Sequence, residues 1–162
     1  MLKRELSMIL LLVLLVAGCT KQTDIEQWMK DEEAAWSSQD ADKISVVYAD
    51  DCIYEDLAVP KLCRGKDEIR TFMVETFKGF PDFKSETTSY FVSGDHVCFE
   101  FIMSGTYKAD LPGLPPANGK SFSVRGAHIC ELRGGKAVRV TDYYDSASLM
   151  RQLGLLPSSS EP

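Results

Sequence analysis

The apolar residues of this chain change their spacing once, at Pro81, and that change limits the folds that the sequence can adopt. Before Pro81 they recur every three to four positions, which predicts amphipathic helices. The predicted helices cover residues 24–39, residues 41–48, and a third segment that Gly65 and Lys66 introduce and Pro81 closes. The first half of the chain is therefore expected to be mainly helical.

After Pro81 the apolar residues alternate, which predicts β-strands. The four predicted strands cover residues 84–92, 96–107, 121–133 and 136–146. A shorter strand over 52–56 precedes them, and a helical turn over 146–154 follows them with Asp145 as its N-cap. The second half of the chain is therefore expected to form a sheet.

Helices with one apolar stripe each and strands with one apolar face each must cover one another. This combination predicts an α+β fold in which three N-terminal helices wrap a strongly curved antiparallel sheet. Such a cone has an open end, and aromatic residues around that opening would form a pocket for a small hydrophobic molecule.

The amino terminus has the features of an export signal. Lys3 and Arg4 precede an apolar run over 8–16, and VAGC follows at 16–19. The run is shorter than the roughly 20 residues that a membrane span needs. VAGC resembles the lipobox of bacterial lipoproteins, which implies lipidation of Cys19 and attachment to a membrane of the bacterial cell envelope, on its periplasmic or extracytoplasmic face. Simple cleavage of the signal, or a cytosolic protein with a chance apolar start, is the alternative.

These features divide the chain into four parts. The predicted divisions are a lipoprotein signal peptide over 1–18, an anchor and short linker over 19–23, a folded domain over 24–157, and a frayed tail over 158–162.

Charge and histidine content argue against two kinds of partner. Asp and Glu number 24 against 18 Lys and Arg, a formal net charge of −6, and basic residues cluster only at Lys3 and Arg4, so a nucleic acid is not expected. The sequence holds two histidines, His96 in the turn S-G-D-H and His128, too few for a multi-histidine metal site. No metal and no cofactor is expected.

The connection Arg133-Gly134-Gly135-Lys136 predicts a hairpin with a glycine in the left-handed region. A bulged turn would pair residues whose numbers sum to 270, which places His128 opposite Asp142 with their Cβ atoms about 5 Å apart on the inner face. The same register pairs Cys130 with Val140, Leu132 with Val138, and Glu131 with Arg139. A two-residue turn would instead place Asp142 opposite Ala127; the charge pair on the outer face favours the first register.

The cysteines and one long loop add weaker signals. Cys52 and Cys63 are spaced so that a disulfide is permitted, whereas Cys98 and Cys130 are expected on opposite sides of their strands. The loop 108–120, KADLPGLPPANGK, contains Leu111 and Leu114 and is predicted either to close over a ligand as a lid or to be a long connection held by its two leucines.

Several motifs in a fixed order carry a resemblance that runs from Trp36 to Pro157. They are DADKISVVYADDCIYED (40–56), RGKDEIRTF (64–72), GTY (105–107), LPGLPP (111–116), GKAV (135–138) and DYYDSASLMRQLGLLP (142–157). In these the chain resembles the SnoaL-like polyketide cyclases and their ester-cyclase relatives, within the nuclear transport factor 2-like superfamily. That superfamily includes isomerases, cyclases, dehydratases, hydrolases and binding modules without catalytic activity, so the resemblance constrains the fold more than the reaction.

The resemblance implies a conical α+β domain with a catalytic acid–base aspartate late in the last strand and a histidine on the neighbouring strand; Asp142 and His128 occupy those positions. A carboxylate in a dry pocket suits removal of a carbon-bound proton beside a carbonyl group. The expected substrate-binding residues are Tyr54, Asp56, Phe101 and Tyr144. The structural alternatives are a strand-end carboxylate for Asp142, a core residue for His128, Tyr54 or Phe101, and a turn cap for Asp56.

The sequence thus predicts an exported domain that transfers a proton on a small carbonyl compound without a cofactor. One alternative is a lipoprotein that binds a small molecule without converting it. Another is an interaction domain or homodimer that uses the outer sheet face, where Ala127, Ile129 and Tyr143 are apolar.

Overall fold

The computed structural model describes residues 25–156. The predicted signal peptide, Cys19 and the linker lie outside this range, as does the tail. Within it, no helix is both long and apolar enough to cross a membrane.

The helices begin with α1, which covers 25–37. The predicted helix 41–48 is instead a 3-10 turn at Ala41–Lys43 followed by one α-helical turn, α2, at Ile44–Val47. Asp40 caps the 3-10 turn, because its side chain accepts a hydrogen bond from the Asp42 N–H. Helix α3 covers Lys66–Gly79, and α4 covers Ser146–Gln152 with Asp145 as its N-cap, as predicted.

Within residues 25–156, six strands form one sheet in the order β2-β1-β6-β5-β4-β3. Their bounds are Tyr48–Asp56 (β1), Lys61–Arg64 (β2), Lys84–Ser93 (β3), His96–Thr106 (β4), Ser121–Arg133 (β5) and Lys136–Tyr144 (β6). The α+β class is confirmed. Strand β2 has no counterpart in the prediction, and β1 begins four residues before the predicted strand.

One pairing differs from the expected antiparallel arrangement, because β1 and β6 run parallel. The connection between them passes through every intervening element instead of a tight turn, and only such a long crossover can bring two strands side by side in the same direction. The sheet is therefore mixed, and the two halves of the chain meet at this pair of strands.

The hairpin between β5 and β6 has a two-residue turn, with Gly134 at φ 60° and Gly135 at φ 75°. Arg133 pairs with Lys136 and Leu132 with Ala137, so the predicted pairing of Leu132 with Val138 is wrong. A bulge then changes the register before Glu131, which pairs with Arg139. The extra residue therefore lies in β6 and not in the turn. From the pair Glu131 and Arg139 onward the predicted register is confirmed, including the pairing of His128 with Asp142.

The core lies between the concave face of the sheet and the helices. The Trp36 ring from α1 lies at its centre, 5.9 to 6.3 Å between centroids from the rings of Tyr54, Phe72, Phe77 and Phe83. Aromatic contacts of this kind tie α1 and α3 to β1 and fix the inner surface of the cone.

The cysteines of the described range are free thiols. Cys52 and Cys63 are buried in β1 and β2 without forming the permitted bridge. Cys130 is buried on the inner face, whereas Cys98 pairs with exposed Ile129 on the outer face, which confirms their predicted opposite orientation.

Candidate functional site

A cavity of about 290 Å³ lies inside the cone. Its walls are mainly apolar and include eight aromatic rings: Trp36, Tyr54, Phe72, Phe80, Phe83, Phe101, Phe122 and Tyr144. Among the described residues that line it, none is Lys or Arg. Exposed Glu75 and Pro112 belong to its outer end, and buried Tyr54, His128 and Asp142 belong to its inner end. The cavity is thus an apolar pocket with a polar floor at its buried end.

Asp142 and His128 form that polar floor. The two residues pair across β5 and β6, and Nδ1 of His128 contacts Oδ1 of Asp142. The hydroxyl of Tyr54 donates a hydrogen bond to Oδ2 of the same carboxylate. Each of the three residues is no more than 5% exposed. Asp142 therefore has a separate partner at each carboxylate oxygen, shielded from water.

His128 is held between two phenylalanine rings. The centroids of Phe99 and Phe101 lie 4.6 and 4.4 Å from the imidazole centroid. Phe101 packs over Gly126, where a Cβ atom would collide with its ring and would lie 2.8 Å from the Tyr143 carbonyl oxygen. Because residue 126 is a glycine, the Phe101 ring has the space to pack against the imidazole.

Burial and the neighbouring charges determine the protonation states of His128 and Tyr54. Burial alone lowers the pKa of His128, but the negative charges of Asp142, Glu32 and Asp56, together with the contact to Asp142, outweigh burial and raise it above its ordinary value. Burial and the neighbouring Asp142 carboxylate raise the pKa of Tyr54 well above the usual range, so its hydroxyl keeps its proton. The favoured state combines a cationic imidazole with a neutral phenol.

A second carboxylate, Asp56, lies on β1, the strand next to β6. Asp56 pairs with Asp142 across β1 and β6, and its Oδ2 accepts a hydrogen bond of 2.9 Å from the Tyr144 hydroxyl. Its other oxygen accepts the N–H groups of Ala58 and Val59 at 2.9 and 3.1 Å and so caps the turn after β1. Burial and the charge of Asp142 raise the pKa of Asp56. Asp56 thus lines the cavity and also caps a turn.

The sequence analysis missed Glu32, which is 2% exposed on the inner side of α1. Its Oε1 accepts a hydrogen bond of 3.1 Å from the Tyr48 hydroxyl, which in turn accepts one of 3.0 Å from the indole N–H of Trp36. Burial raises the pKa of Glu32 to about 7. A signal was available, because Glu32 lies on the apolar stripe of α1 between Met29 and Trp36.

The loop 108–120 forms one wall of the cavity through Leu111, Pro112 and Leu114. Leu111 packs so closely on Gly79 that a side chain there would collide with it. The Tyr107 hydroxyl donates to the Pro115 carbonyl at 2.8 Å, and the Asn118 side chain donates to the Leu153 carbonyl at 2.7 Å. These contacts hold the loop against α3 and α4.

The six residues predicted to be catalytic or substrate-binding all line this cavity: Tyr54, Asp56, Phe101, His128, Asp142 and Tyr144. Within residues 25–156 no three His, Cys, Asp or Glu side chains are grouped so that they could hold a metal ion. What the arrangement offers chemically is a buried carboxylate, a cation beside it and two tyrosine hydroxyls.

In a comparison with protein families, residues 26–153 match the model of the SnoaL-like polyketide cyclases. No curated protein matches the chain in sequence. Among solved structures, TsrD from Streptomyces laurentii is 25% identical, with 83% of this chain and 97% of that chain covered and a TM-score of 0.73.

Two further structures resemble this one. A protein with a ketosteroid isomerase-like fold from Catenulispora acidiphila, in complex with trimethylamine, is 25% identical at a TM-score of 0.69, with 83% of this chain and 97% of that chain covered. IdmH from Streptomyces antibioticus, a proposed polyketide cyclase, is 20% identical at a TM-score of 0.69, with 80% and 97% covered, and supports the fold alone.

Proposed function

The chain belongs to the SnoaL-like polyketide cyclase family, and from that premise we propose that it transfers a proton on a small, neutral carbonyl compound, in the manner of a cyclase or isomerase. One observation carries the proposal. A carboxylate with a histidine and a tyrosine as partners lies at the buried end of an apolar cavity, and such a place suits abstraction of a carbon-bound proton.

In the proposed step, a carboxylate oxygen of Asp142 removes a proton from the carbon next to the carbonyl group. The electron pair of the broken C–H bond moves into an enolate, and the proton stays on Asp142 until it is returned to carbon. The His128 cation, favoured by its raised pKa, stabilises the negative charge that develops on the enolate oxygen. Tyr54 orients the carboxylate.

The lining of the cavity supports a neutral substrate. The aromatic walls favour a ring or a flat hydrocarbon skeleton. An anionic substrate would meet the carboxylates of Asp56 and Asp142 without a Lys or Arg among the described lining residues to offset them. Phe101 contributes to the wall, and Asp56 with Tyr144 would bind a polar substituent.

The test is hydrogen–deuterium exchange at the activated carbon of 2-tetralone, a neutral bicyclic ketone, followed by proton NMR in D₂O. We expect the protein to accelerate exchange and Asp142→Asn to lower the rate by roughly 10²- to 10⁴-fold, the usual contribution of a general base. Glu55→Gln, on the outer face of β1, is the matched control and should leave the rate unchanged.

Binding is measured on the same variants by ligand-detected NMR. Retained binding of 2-tetralone by Asp142→Asn together with lost exchange supports catalysis. Binding by the wild-type protein with no acceleration supports the alternative function, a carrier of hydrophobic small molecules, and native mass spectrometry of the purified protein would then identify a co-purified ligand.

We also propose that the domain is exported and anchored by a lipid on Cys19. The support is the order of charged, apolar and small residues before that cysteine. Each buried methylene group contributes about 0.8 kcal/mol, so several acyl chains would hold the domain on a membrane surface. Labelling of bacterial cells with a radioactive fatty acid should label the wild-type protein and not Cys19→Ala, and labelling of both would overturn the assignment.

A further inference from the structure

The carboxyl of Glu32, which the proposed reaction does not use, is buried in the core and is not part of the cavity lining. It reaches the core from α1, whereas His128 and Asp142 come from β5 and β6. Fully buried carboxyl groups are uncommon and need a partner. In the described part of the chain, no Lys or Arg forms an ion pair with Glu32, and its carboxyl accepts a hydrogen bond from the Tyr48 hydroxyl.

The hydrogen bonds around Glu32 form a short chain that ends at the cavity. The Trp36 indole N–H donates to the Tyr48 hydroxyl, and that hydroxyl donates to Glu32. The Trp36 ring itself is part of the cavity wall. The position of the Glu32 carboxyl is therefore fixed by two side chains, one of which would contact a bound ligand.

The titratable groups around Glu32 come from three strands: Tyr48 from β1, His128 and Cys130 from β5, and Asp142 from β6. His128 is the one cation of this group. The negative charge of Glu32 favours protonated His128, and protonated His128 favours ionised Glu32, whereas Asp142 and burial oppose ionisation of Glu32. The ionisations of the carboxyl and the imidazole are therefore coupled.

We propose that Glu32 is a positioning residue for the reaction: held by Tyr48 and Trp36, its carboxyl takes up or releases a proton and thereby sets the charge of the His128–Asp142 pair. Loss of that proton at rising pH adds a negative charge behind His128 and keeps the imidazole cationic. The part of this inference that concerns turnover rests on the proposed function, whereas the part that concerns ionisation does not.

The first test is an NMR titration of the purified protein, which needs no substrate. Because the sequence contains two histidines, His96 on the surface serves as the internal reference for buried His128. We expect the Glu32 carboxyl carbon to titrate near its raised pKa of about 7 and the His128 ring to show an inflection at the same pH. Titration of Glu32 near pH 4, as for an ordinary glutamate, would overturn the proposal.

Glu32→Gln keeps the shape and an acceptor oxygen but removes the charge. We expect loss of the inflection and a lower midpoint for His128, with His96 unchanged. Asp31→Asn on the same helix is the matched control and should change neither histidine. A His128 titration in Glu32→Gln that matches the wild type would show that Glu32 is only a structural residue.

Tyr48→Phe covers the case in which Glu32→Gln does not fold. Removal of the hydroxyl donor destabilises ionised Glu32, so the inflection should move to higher pH; an unmoved inflection would contradict the proposal.

Where 2-tetralone is turned over, the alkaline limb of the exchange rate should move to lower pH in Glu32→Gln. Absence of turnover would count against the proposed function alone, since the titration stands without it.

Discussion

Two pairs of opposite charge lie on the same two strands, one on each face of the sheet. Glu131 and Arg139 face each other on the outer side, where Arg139 also lies 3.8 Å from Glu55, with side chains 58% and 35% exposed. His128 and Asp142 face each other on the inner side, and the side chain of each is 6% exposed. The strands alternate, so Arg139 and Asp142, three positions apart on β6, face opposite sides of the sheet.

The two pairs differ chiefly in the exposure of their side chains to water. Water screens the outer pair, and exposed ion pairs contribute little to stability. The inner pair has lost its water, so each partner depends on the other, and a charge elsewhere in the core, such as that of Glu32, can alter the ionisation of His128. Four predictions test this contrast, in order of expected size.

His128→Ala should show the largest effect. Removal of the imidazole leaves the Asp142 carboxylate buried with Tyr54 as its remaining partner, and loss of one member of a buried pair costs roughly 3–5 kcal/mol. Urea unfolding of the purified protein at pH 7 measures the change. A cost below about 1 kcal/mol would mean that the inner pair behaves like a surface pair.

Glu32→Gln should change how stability depends on pH. The pKa of Glu32 rises from an ordinary 4.5 to about 7 on folding. Because the folded value is the higher one, the stabilising contribution is complete below pH 4.5 and is lost as pH rises to 7, by about 3 kcal/mol. Urea unfolding across this range should show a steeper loss of stability with rising pH in the wild type and in Asp31→Asn than in Glu32→Gln, in which Asp56 and His128 still titrate.

Val140→Ala tests packing on the inner face without charge. Val140 is 1% exposed and lies between Tyr54 and Cys130 in the sheet. Loss of two methyl groups and the remaining cavity should cost roughly 2 kcal/mol in urea unfolding. An equal effect of Val138→Ala, at the half-buried bulge, would contradict the contrast between the faces.

Arg139→Ala should show the smallest effect, a change in unfolding free energy within about 0.5 kcal/mol. Salt should remove even that difference, because the outer pair is screened. A salt-independent cost above about 1 kcal/mol would show that the outer face is less accessible than its exposure indicates.

The period of the apolar residues was enough to predict the α+β class, the four long strands and the inner position of His128 and Asp142. Their register followed from one charge pair, Glu131 with Arg139, which a slip of one residue would break. The bulge was predicted in the turn but lies at Val138, because a sequence pattern fixes the parity of a strand but not the residue at which an insertion is absorbed.

Other features depended on contacts between distant parts of the chain. The parallel pairing of β1 with β6 and the short strand β2 have no local pattern, since each is fixed by the partner that packs against it. Glu32 was overlooked as one acidic residue among several in α1, although its position on the apolar stripe distinguished it. A charged residue at a core position of an amphipathic helix is therefore a useful signal for a site.

The parallel pairing of β1 with β6 also determines when the site can form. Tyr54 meets Asp142, and Asp56 meets Tyr144, across 88 residues of chain in each case. A nascent chain emerging from the ribosome lacks both carboxyl-terminal partners until β6 has been translated, by which time α1 and α3 have already been made. The candidate active centre is consequently completed only after β6 has been made, and a premature stop before residue 142 removes both Asp142 and Tyr144.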